Sequence, residues 1–124
     1  MTRYTLAECQ AKLPGIAVLA AHYFMIDDEF ERLWNSGSPE DRNQVAKLNE
    51  LQGKSYEKLW DAGCRVVNPE AHRIHFDGHV HGEMVTYCWE AGEDTISHGH
   101  WPGEVCDSRR ELDPRFGWPK GERL

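Results

Sequence analysis

Residues 72–101 read HRIHFDGHVHGEMVTYCWEAGEDTISHGHW and carry the clearest strand and turn signals in the chain. Apolar and polar residues alternate through much of this stretch, which is typical of half-buried strands. Asp77-Gly78 is a preferred pair for a two-residue hairpin loop, and residues 91–94 (AGED) suit a four-residue loop. The two loops predict a three-stranded antiparallel meander over residues 71–76, 79–89 and 95–100.

The residues before the meander predict helices. A capping box at residues 5–8 (TLAE) favours a short helix over residues 5–13. Pro14 suits the first turn of a second helix, because no hydrogen bond is lost there. A third helix is expected from the cap residue Ser38 to Gly63. The short link between the second and third helices makes them antiparallel neighbours.

The second helix has apolar residues on more than one side. A heptad-like seam, with alternating spacings of three and four, comprises Ile16, Leu19, Tyr23, Ile26, Phe30 and Leu33. Val18, Phe24 and Met25 widen the apolar surface beyond what one neighbouring helix covers. The helix is therefore expected to contact the third helix and also the sheet or a second subunit. We predict a homodimer through this helix.

These patterns predict an α+β fold, in which a long antiparallel helical hairpin with a short N-terminal helix packs against a small three-stranded antiparallel β-meander. A single domain is expected over residues 1–112, with a helical part at 5–62 and a β part at 63–101. Within the β part, residues 64–67 (CRVV) could form one more short strand. Residues 113–124 form a tail rich in Pro and Gly, either loose or wrapped on the surface with Phe116 and Trp118 as anchors.

Composition excludes several classes of protein. The formal net charge of −7 argues against a nucleic-acid-binding protein, which needs Lys and Arg to contact phosphates. No apolar run approaches the roughly 20 residues that span a bilayer, and the first residues do not form a signal peptide. The four cysteines are widely spaced without a CxxC pair, so reduced thiols in a cytoplasmic protein are expected rather than disulfides.

The assumed loops predict which side chains share a face of the meander. The face that packs on the helices carries the larger apolar residues Ile74, Phe76, Val85, Tyr87 and Trp89, and the other face carries His75 and Cys88. They place His72 opposite Glu83 and His100 opposite Val85, with His81 two residues from Glu83. A His/Glu site of His72, His81, Glu83 and His100 is therefore predicted. Because His81 and His100 would be about 13 Å apart on a flat hairpin, a bend at Gly82 would be needed.

Imidazole and carboxylate ligands suit a divalent transition metal, namely Fe, Zn, Ni, Mn or Cu. An open coordination position would let the metal polarise a substrate or activate water. The alternative is that these histidines are solvated polar residues at strand ends, with no bound metal.

The chain resembles the small bacterial and archaeal domain-of-unknown-function family 2203. The resemblance is carried by YTLAECQAKLP near the start, by GCRVVNPEAHRIHF after the helices, and by GEMVTYCWEAGEDTISHGHWPGEVCDSRREL. It covers roughly residues 3–112 and implies a helical hairpin with a small β-element, often self-associating. It implies no activity. Among the sheet histidines, only His100 occupies a position of the family motif.

Two functional hypotheses follow from the sequence. The first is a metal-dependent enzyme acting on a small polar or aromatic molecule, with Tyr87 and Trp89 lining its pocket. Glu93 and Arg109 would contribute to substrate binding, with Arg109 holding an anionic group through paired hydrogen bonds. The structural alternative for Glu93, Arg109 and His100 is a buried Glu–Arg or His–Glu network that holds the hairpin. Cys88 is interpreted as a packed thiol. The second hypothesis is a non-catalytic dimeric scaffold that binds a partner through its helices.

Overall fold

The computed structural model describes residues 3–37, 39–105, 108–115 and 117–121, and it describes no side chains for residues 39–41. Two helices lie against one face of an antiparallel sheet. The elements are α1 (Leu6–Ser36), α2 (Pro39–Asp61), β1 (Cys64–Asn68), β2 (Arg73–Val80), β3 (Glu83–Glu90), β4 (His98–His100) and β5 (Arg110–Glu111). The α+β class is confirmed, but the described sheet has five strands rather than the predicted three.

The strands are neighbours in chain order, β1-β2-β3-β4-β5, and each pair is antiparallel. Tyr4 extends the sheet at the β1 edge: its N–H donates to the Asp77 carbonyl at 3.0 Å, and its carbonyl accepts from His79 N at 3.0 Å. The start of the described chain is thus joined to β2 before α1 begins. This places the first turn of α1 beside the end of the β2–β3 hairpin.

The predicted break between a short first helix and a second helix is wrong, because α1 continues through Pro14. The capping box is confirmed, since Thr5 Oγ1 accepts from Glu8 N and Glu8 Oε1 accepts from Thr5 N. Pro14 and its neighbour are exposed, whereas Leu13 and Ile16 are buried. Burial of this continuous apolar face offsets the roughly 3 kcal/mol that an interior proline costs a helix.

The predicted hairpin loop at Asp77-Gly78 is also wrong. Both residues lie within β2, and the chain turns at His81-Gly82 instead. These two residues have φ angles of 49° and 81°, as a two-residue type I′ turn requires. The strand pairing shifts by an even number of residues. The apolar residues of β2 and β3 therefore still share one face, as predicted.

The second predicted loop, residues 91–94, is too short. The connection between β3 and β4 runs over residues 91–97, because the Gln10 side chain takes the place of a partner strand at Ile96. Its amide donates to the Ile96 carbonyl at 3.0 Å and accepts from Ile96 N at 3.0 Å. As a result, His100 pairs with Thr86 rather than with Val85. This one-residue slip moves the histidines of β4 to the opposite face of the sheet.

The core lies between the helices and the inner face of the sheet. It joins residues of α1 and α2 with the alternating inward positions of β2 and β3 into one cluster, including Leu13, Ile16, Leu59, Ile74, Phe76, Val85, Tyr87 and Trp89. The outer face carries His75, Thr86, Cys88 and the two β4 histidines. None of the described helices is both long and apolar enough to cross a membrane.

The described part of the C-terminal tail folds back onto the domain. Asp113 N donates to the Trp118 carbonyl at 2.7 Å, and Lys120 N donates to the Glu111 carbonyl at 2.8 Å. The Trp118 ring lies 5.4 Å from the Trp101 ring, in agreement with its predicted role as an anchor. The other predicted anchor, Phe116, lies outside the described residues, as do Ser38 and Cys106.

Candidate metal centre

The four residues predicted as metal ligands do not come together. His72 stacks on Phe24, with ring centroids 4.5 Å apart, and its Nε2 lies 3.9 Å from Asp28 Oδ2. His81 is exposed in the turn and lies 5.8 Å from the Trp118 ring. Glu83 was predicted to lie close to both His72 and His81. It instead pairs with Val80 beside the turn.

The separation follows from the length of the hairpin. His72 precedes β2, and its carbonyl accepts from Ala91 N at 2.9 Å, just beyond the end of β3. Glu83 is the first residue of β3 and therefore lies at the other end of this strand. The eight residues of β3 separate Glu83 from the position beside His72. At the rise of an extended strand, that distance is roughly 25 Å. The predicted pairing of His72 with Glu83 is therefore wrong.

A different cluster, which we call the outer-face centre, consists of His75, Cys88 and His100. His75 on β2 lies directly opposite Cys88 on β3, and His100 reaches them from β4. One potential ligand atom from each residue lies within 4.8 Å of those of the other two. The two imidazole rings are 5.0 Å apart and nearly perpendicular, at 65°. Two imidazoles and a thiol at this spacing could hold one metal ion.

His100 is the most informative member of the centre. It is buried, and its Nδ1 lies 3.0 Å from the Trp101 carbonyl. A carbonyl only accepts hydrogen bonds, so Nδ1 carries the proton and Nε2 presents a lone pair. That Nε2 is buried and has no hydrogen-bond partner among the described residues. A histidine fixed through one nitrogen by a carbonyl, with the other nitrogen available, has the usual geometry of a metal ligand.

The surroundings keep His75 neutral. Burial, then the neighbouring His100 and three arginines, lower the pKa of His75 from 6.5 to about 4. A neutral imidazole is the form that binds metals. Cys88 is fully buried and is not in a disulfide. His75 thus offers an unprotonated nitrogen ligand at neutral pH.

Ion pairs lie near the outer-face centre, where β2 begins and β3 ends. Arg73 donates to Glu90 Oε1 through two nitrogens, at 2.9 and 2.6 Å. Arg109 donates to Glu93 at 2.7 Å and lies 3.4 Å from Glu90, while His98 Nδ1 lies 3.5 Å from Glu93. Glu93 and Arg109, predicted to bind substrate, are thus joined to each other. They form a Glu–Arg pair of the kind that the structural alternative describes, although both side chains are only partly buried.

The other two predicted substrate-binding residues lie on the opposite face of the sheet. Trp89 belongs to the core, and its indole N–H donates to the Glu93 carbonyl at 2.8 Å. Tyr87 is fully buried and contributes to a separate cleft beside α1. Neither side chain lines the outer-face centre, because residues 87 and 89 alternate with Cys88 along β3.

The comparison with protein families accounts for nearly all of the chain. A family model described as "Uncharacterized conserved protein (DUF2203)" matches residues 3–112. The chain belongs to the DUF2203 family. This confirms the resemblance noted from the sequence. No curated protein and no solved structure matches the chain.

The match to DUF2203 spans all three residues of the outer-face centre and ends at Leu112, just after β5. Because the family is uncharacterised, it assigns no role to any of these residues. Sequence reasoning missed His75 and Cys88, although it placed them on the same face of the meander. The sequence did not reveal the position of His100. That position depends on the hydrogen bond from the Gln10 side chain to Ile96, a residue 86 positions away in the chain.

Proposed function

We propose that this chain is a metal-binding protein whose ligands are His75, Cys88 and His100, with Zn²⁺ as the favoured ion. The observation that carries the proposal is the buried Nε2 of His100, which has no hydrogen-bond partner among the described residues. Leaving a buried polar atom without a partner costs about 1–3 kcal/mol. A metal ion bound at this atom would remove that cost.

The donor set supports the choice of metal. A thiolate and two imidazoles suit Zn²⁺ or copper better than Mn²⁺, which prefers oxygen ligands. Three protein ligands would leave one tetrahedral position for water or a substrate, as in catalytic zinc sites. Such a water would have a pKa near 7 and could act as a nucleophile. His75 is only partly buried, so the open position would be reached from its side of the cluster.

We extend the proposal to an enzyme that acts on a small polar or aromatic molecule at this open position. The arginine–glutamate pairs beside the centre would orient such a molecule without adding net charge, because Arg73, Arg109, Glu90 and Glu93 balance. A cytoplasmic location belongs to the same proposal, since a reducing compartment keeps a thiol such as Cys88 available as a ligand.

The decisive experiment is a Co²⁺ titration of untagged, metal-stripped protein. Cysteinate coordination to Co²⁺ gives a charge-transfer absorption in the near ultraviolet, and tetrahedral Co²⁺ gives visible bands. We expect both signals to saturate at one equivalent and to be displaced by Zn²⁺. Variants Cys88→Ser and His100→Ala should lose the signals, whereas His81→Gln, a histidine outside the centre, should keep them. Equal Co²⁺ spectra in Cys88→Ser and the wild type would refute the proposal.

A second candidate function is a dimeric scaffold, which is supported by exposed apolar residues on the helices. Val18 and Met25 are 70% and 63% exposed, and they lie seven residues apart on one side of α1. A twofold contact of this side with a second copy would cover both residues. Light scattering after gel filtration should then show a dimer that Met25→Asp splits and Met84→Asp, a change on the sheet, does not. A wild-type monomer at high concentration would rule the dimer out.

A further inference from the structure

A second cleft lies on the other side of the sheet from the outer-face centre. It has a volume of about 500 Å³ and forms where the first turn of α1, the β2–β3 turn and the C-terminal segment meet. Its polar lining comes from Thr5, Gln10, His79, His81 and Tyr87, and Arg115 adds a positive charge. Leu6, Val80 and Pro114 add apolar surface. The volume is within the range of small-molecule sites.

The Tyr87 hydroxyl gives this cleft a specific polar group. Tyr87 is fully buried, and its hydroxyl has no hydrogen-bond partner among the described residues. The oxygen lies 3.7 Å from the position that a Cβ on Gly117 would take, and Gly117 also lines the cleft. Burial raises the pKa of Tyr87 to about 12, so the hydroxyl keeps its proton and can donate. A ligand acceptor in the cleft would satisfy it.

The start of α1 supplies a second set of donors. The N–H groups of the first turn have no acceptor within a helix, and the helix dipole favours a negative charge beside them. The capping box uses the N–H groups of Thr5 and Glu8. Those of Leu6 and Ala7 belong to the same turn, and both residues line the cleft. A backbone site of this kind binds carboxylates and phosphates.

The charged side chains around the cleft are of both signs. Arg115 is 76% exposed and lies 3.5 Å from Asp113, while His79 and His81 flank the β2–β3 turn. Glu8 contributes a negative charge. The backbone hydrogen bond with Thr5, above all, lowers the pKa of Glu8, so the charge is held at the capping box. Among the described residues that line the cleft, Arg115 carries a positive charge, and the apolar walls would cover a nonpolar body.

We infer that this cleft binds a small organic carboxylate with an apolar body, whose carboxyl group contacts the first turn of α1 and the Tyr87 hydroxyl. The site is independent of the metal proposal. Tyr87 points to the core side of the sheet, whereas its neighbour Cys88 points to the outer face. Loss of metal binding would leave this cleft unchanged, so the two proposals can fail separately.

Benzoate is a suitable probe, with benzamide as its neutral counterpart of nearly the same shape. In two-dimensional amide NMR spectra, we expect benzoate to shift the signals of Leu6, Ala7 and Gly117 with saturation at a Kd on the order of 1 mM. Benzamide should bind at least about tenfold more weakly, because hydrogen bonds to a charged group are stronger.

Variant Tyr87→Phe keeps the ring and removes only the hydroxyl, which has no partner to lose in the described structure. We expect it to fold normally and to raise the Kd of benzoate by about tenfold or more. Tyr56→Phe, a tyrosine outside the cleft, should bind benzoate as the wild type does. The inference is overturned if benzoate gives no saturable shifts in these residues, or if Tyr87→Phe binds it with unchanged affinity.

Discussion

Gly78 lies directly beneath the ring of Tyr87 across the β2–β3 pair. A Cβ at Gly78 would stand 2.3 Å from Tyr87 Cε2 and 3.1 Å from the Tyr4 carbonyl oxygen. A side chain at this position would therefore have to displace both the aromatic ring and the segment that precedes α1. The glycine serves close packing inside a strand, not the turn for which Asp-Gly pairs are typical.

We predict that Gly78→Ala destabilises the protein by about 2–3 kcal/mol, because overpacking forces rings and backbone to shift. Urea unfolding followed by circular dichroism measures the change. Gly53→Ala is the matched control, since a Cβ at this position in α2 meets nothing within 4 Å. It should stabilise the helix by about 0.5–1 kcal/mol. Equal effects of the two substitutions would contradict the described packing.

The Arg73–Glu90 ion pair should make the free energy of unfolding depend on pH in the acidic range. The hydrogen bond from Arg73, more than any other influence, lowers the pKa of Glu90 below 4.5 in the folded protein. A carboxyl group with a depressed folded-state pKa stabilises the fold above its unfolded pKa, and that contribution is lost as pH falls further. At pH 7, Glu90→Gln should cost about 1–2 kcal/mol, because it removes the charged acceptor of two hydrogen bonds from the buried Arg73 guanidinium.

The wild type and Glu90→Gln should converge in stability as pH falls through the folded-state pKa of Glu90, which lies below the ordinary carboxyl value. Below that folded-state pKa, Glu90 is protonated in both the folded and the unfolded chain. Unfolding curves recorded at neutral pH and at about pH 3 test this. Glu50→Gln is the control, because Glu50 pairs with Lys54 on the exposed surface of α2. Its effect should stay below about 0.5 kcal/mol at either pH.

Buried thiols should resist labelling in the folded protein. Cys9 and Cys64 are fully buried, and burial raises the pKa of each thiol to about 12. Since the thiolate is the reactive form, neither should react with iodoacetamide at pH 8 until the protein unfolds. Peptide mapping by mass spectrometry locates the labelled positions, and addition of urea should expose both thiols together. Rapid native labelling of Cys9 would contradict its burial.

The C-terminal segment should contribute to stability. Trp118 contacts both Trp101 and His81, and backbone hydrogen bonds join the segment to Glu111 and Asp113. Trp118→Ala should therefore cost about 2 kcal/mol, less than a fully buried tryptophan because Trp118 is partly exposed. Differential scanning calorimetry would detect the lower melting temperature. Trp34→Ala, at a 69% exposed position on α1, should change it little.

The sequence was sufficient for features that depend on local pattern. The capping box at Thr5, the apolar side of α1 and the inner face of β2 and β3 were all predicted, because each follows from residues close together in the chain. The predicted inner face of β2 and β3 was correct although the turn was misplaced. The predicted and observed strand pairings differ by an even number of residues, which leaves each side chain on the same face. Gly78 misled the turn prediction because its role depends on Tyr87, which pairs near it only in the folded sheet.

The site depended on a contact that no local pattern reports. Gln10 binds the backbone of Ile96 from α1 and lengthens the connection before β4. The resulting one-residue slip takes His100 away from Glu83 and brings it to His75 and Cys88. Strand register has a period of two, so a single residue decides which face a histidine joins.

The edges of the sheet affect how copies of the protein can meet. At one edge, the pairing of β1 is irregular between Val66 and Asn68. At the other, β5 is only two residues long, and both residues, Arg110 and Glu111, are charged. Neither edge offers a long, regular row of unpaired backbone groups, so the addition of a foreign strand and growth into fibrils are both disfavoured.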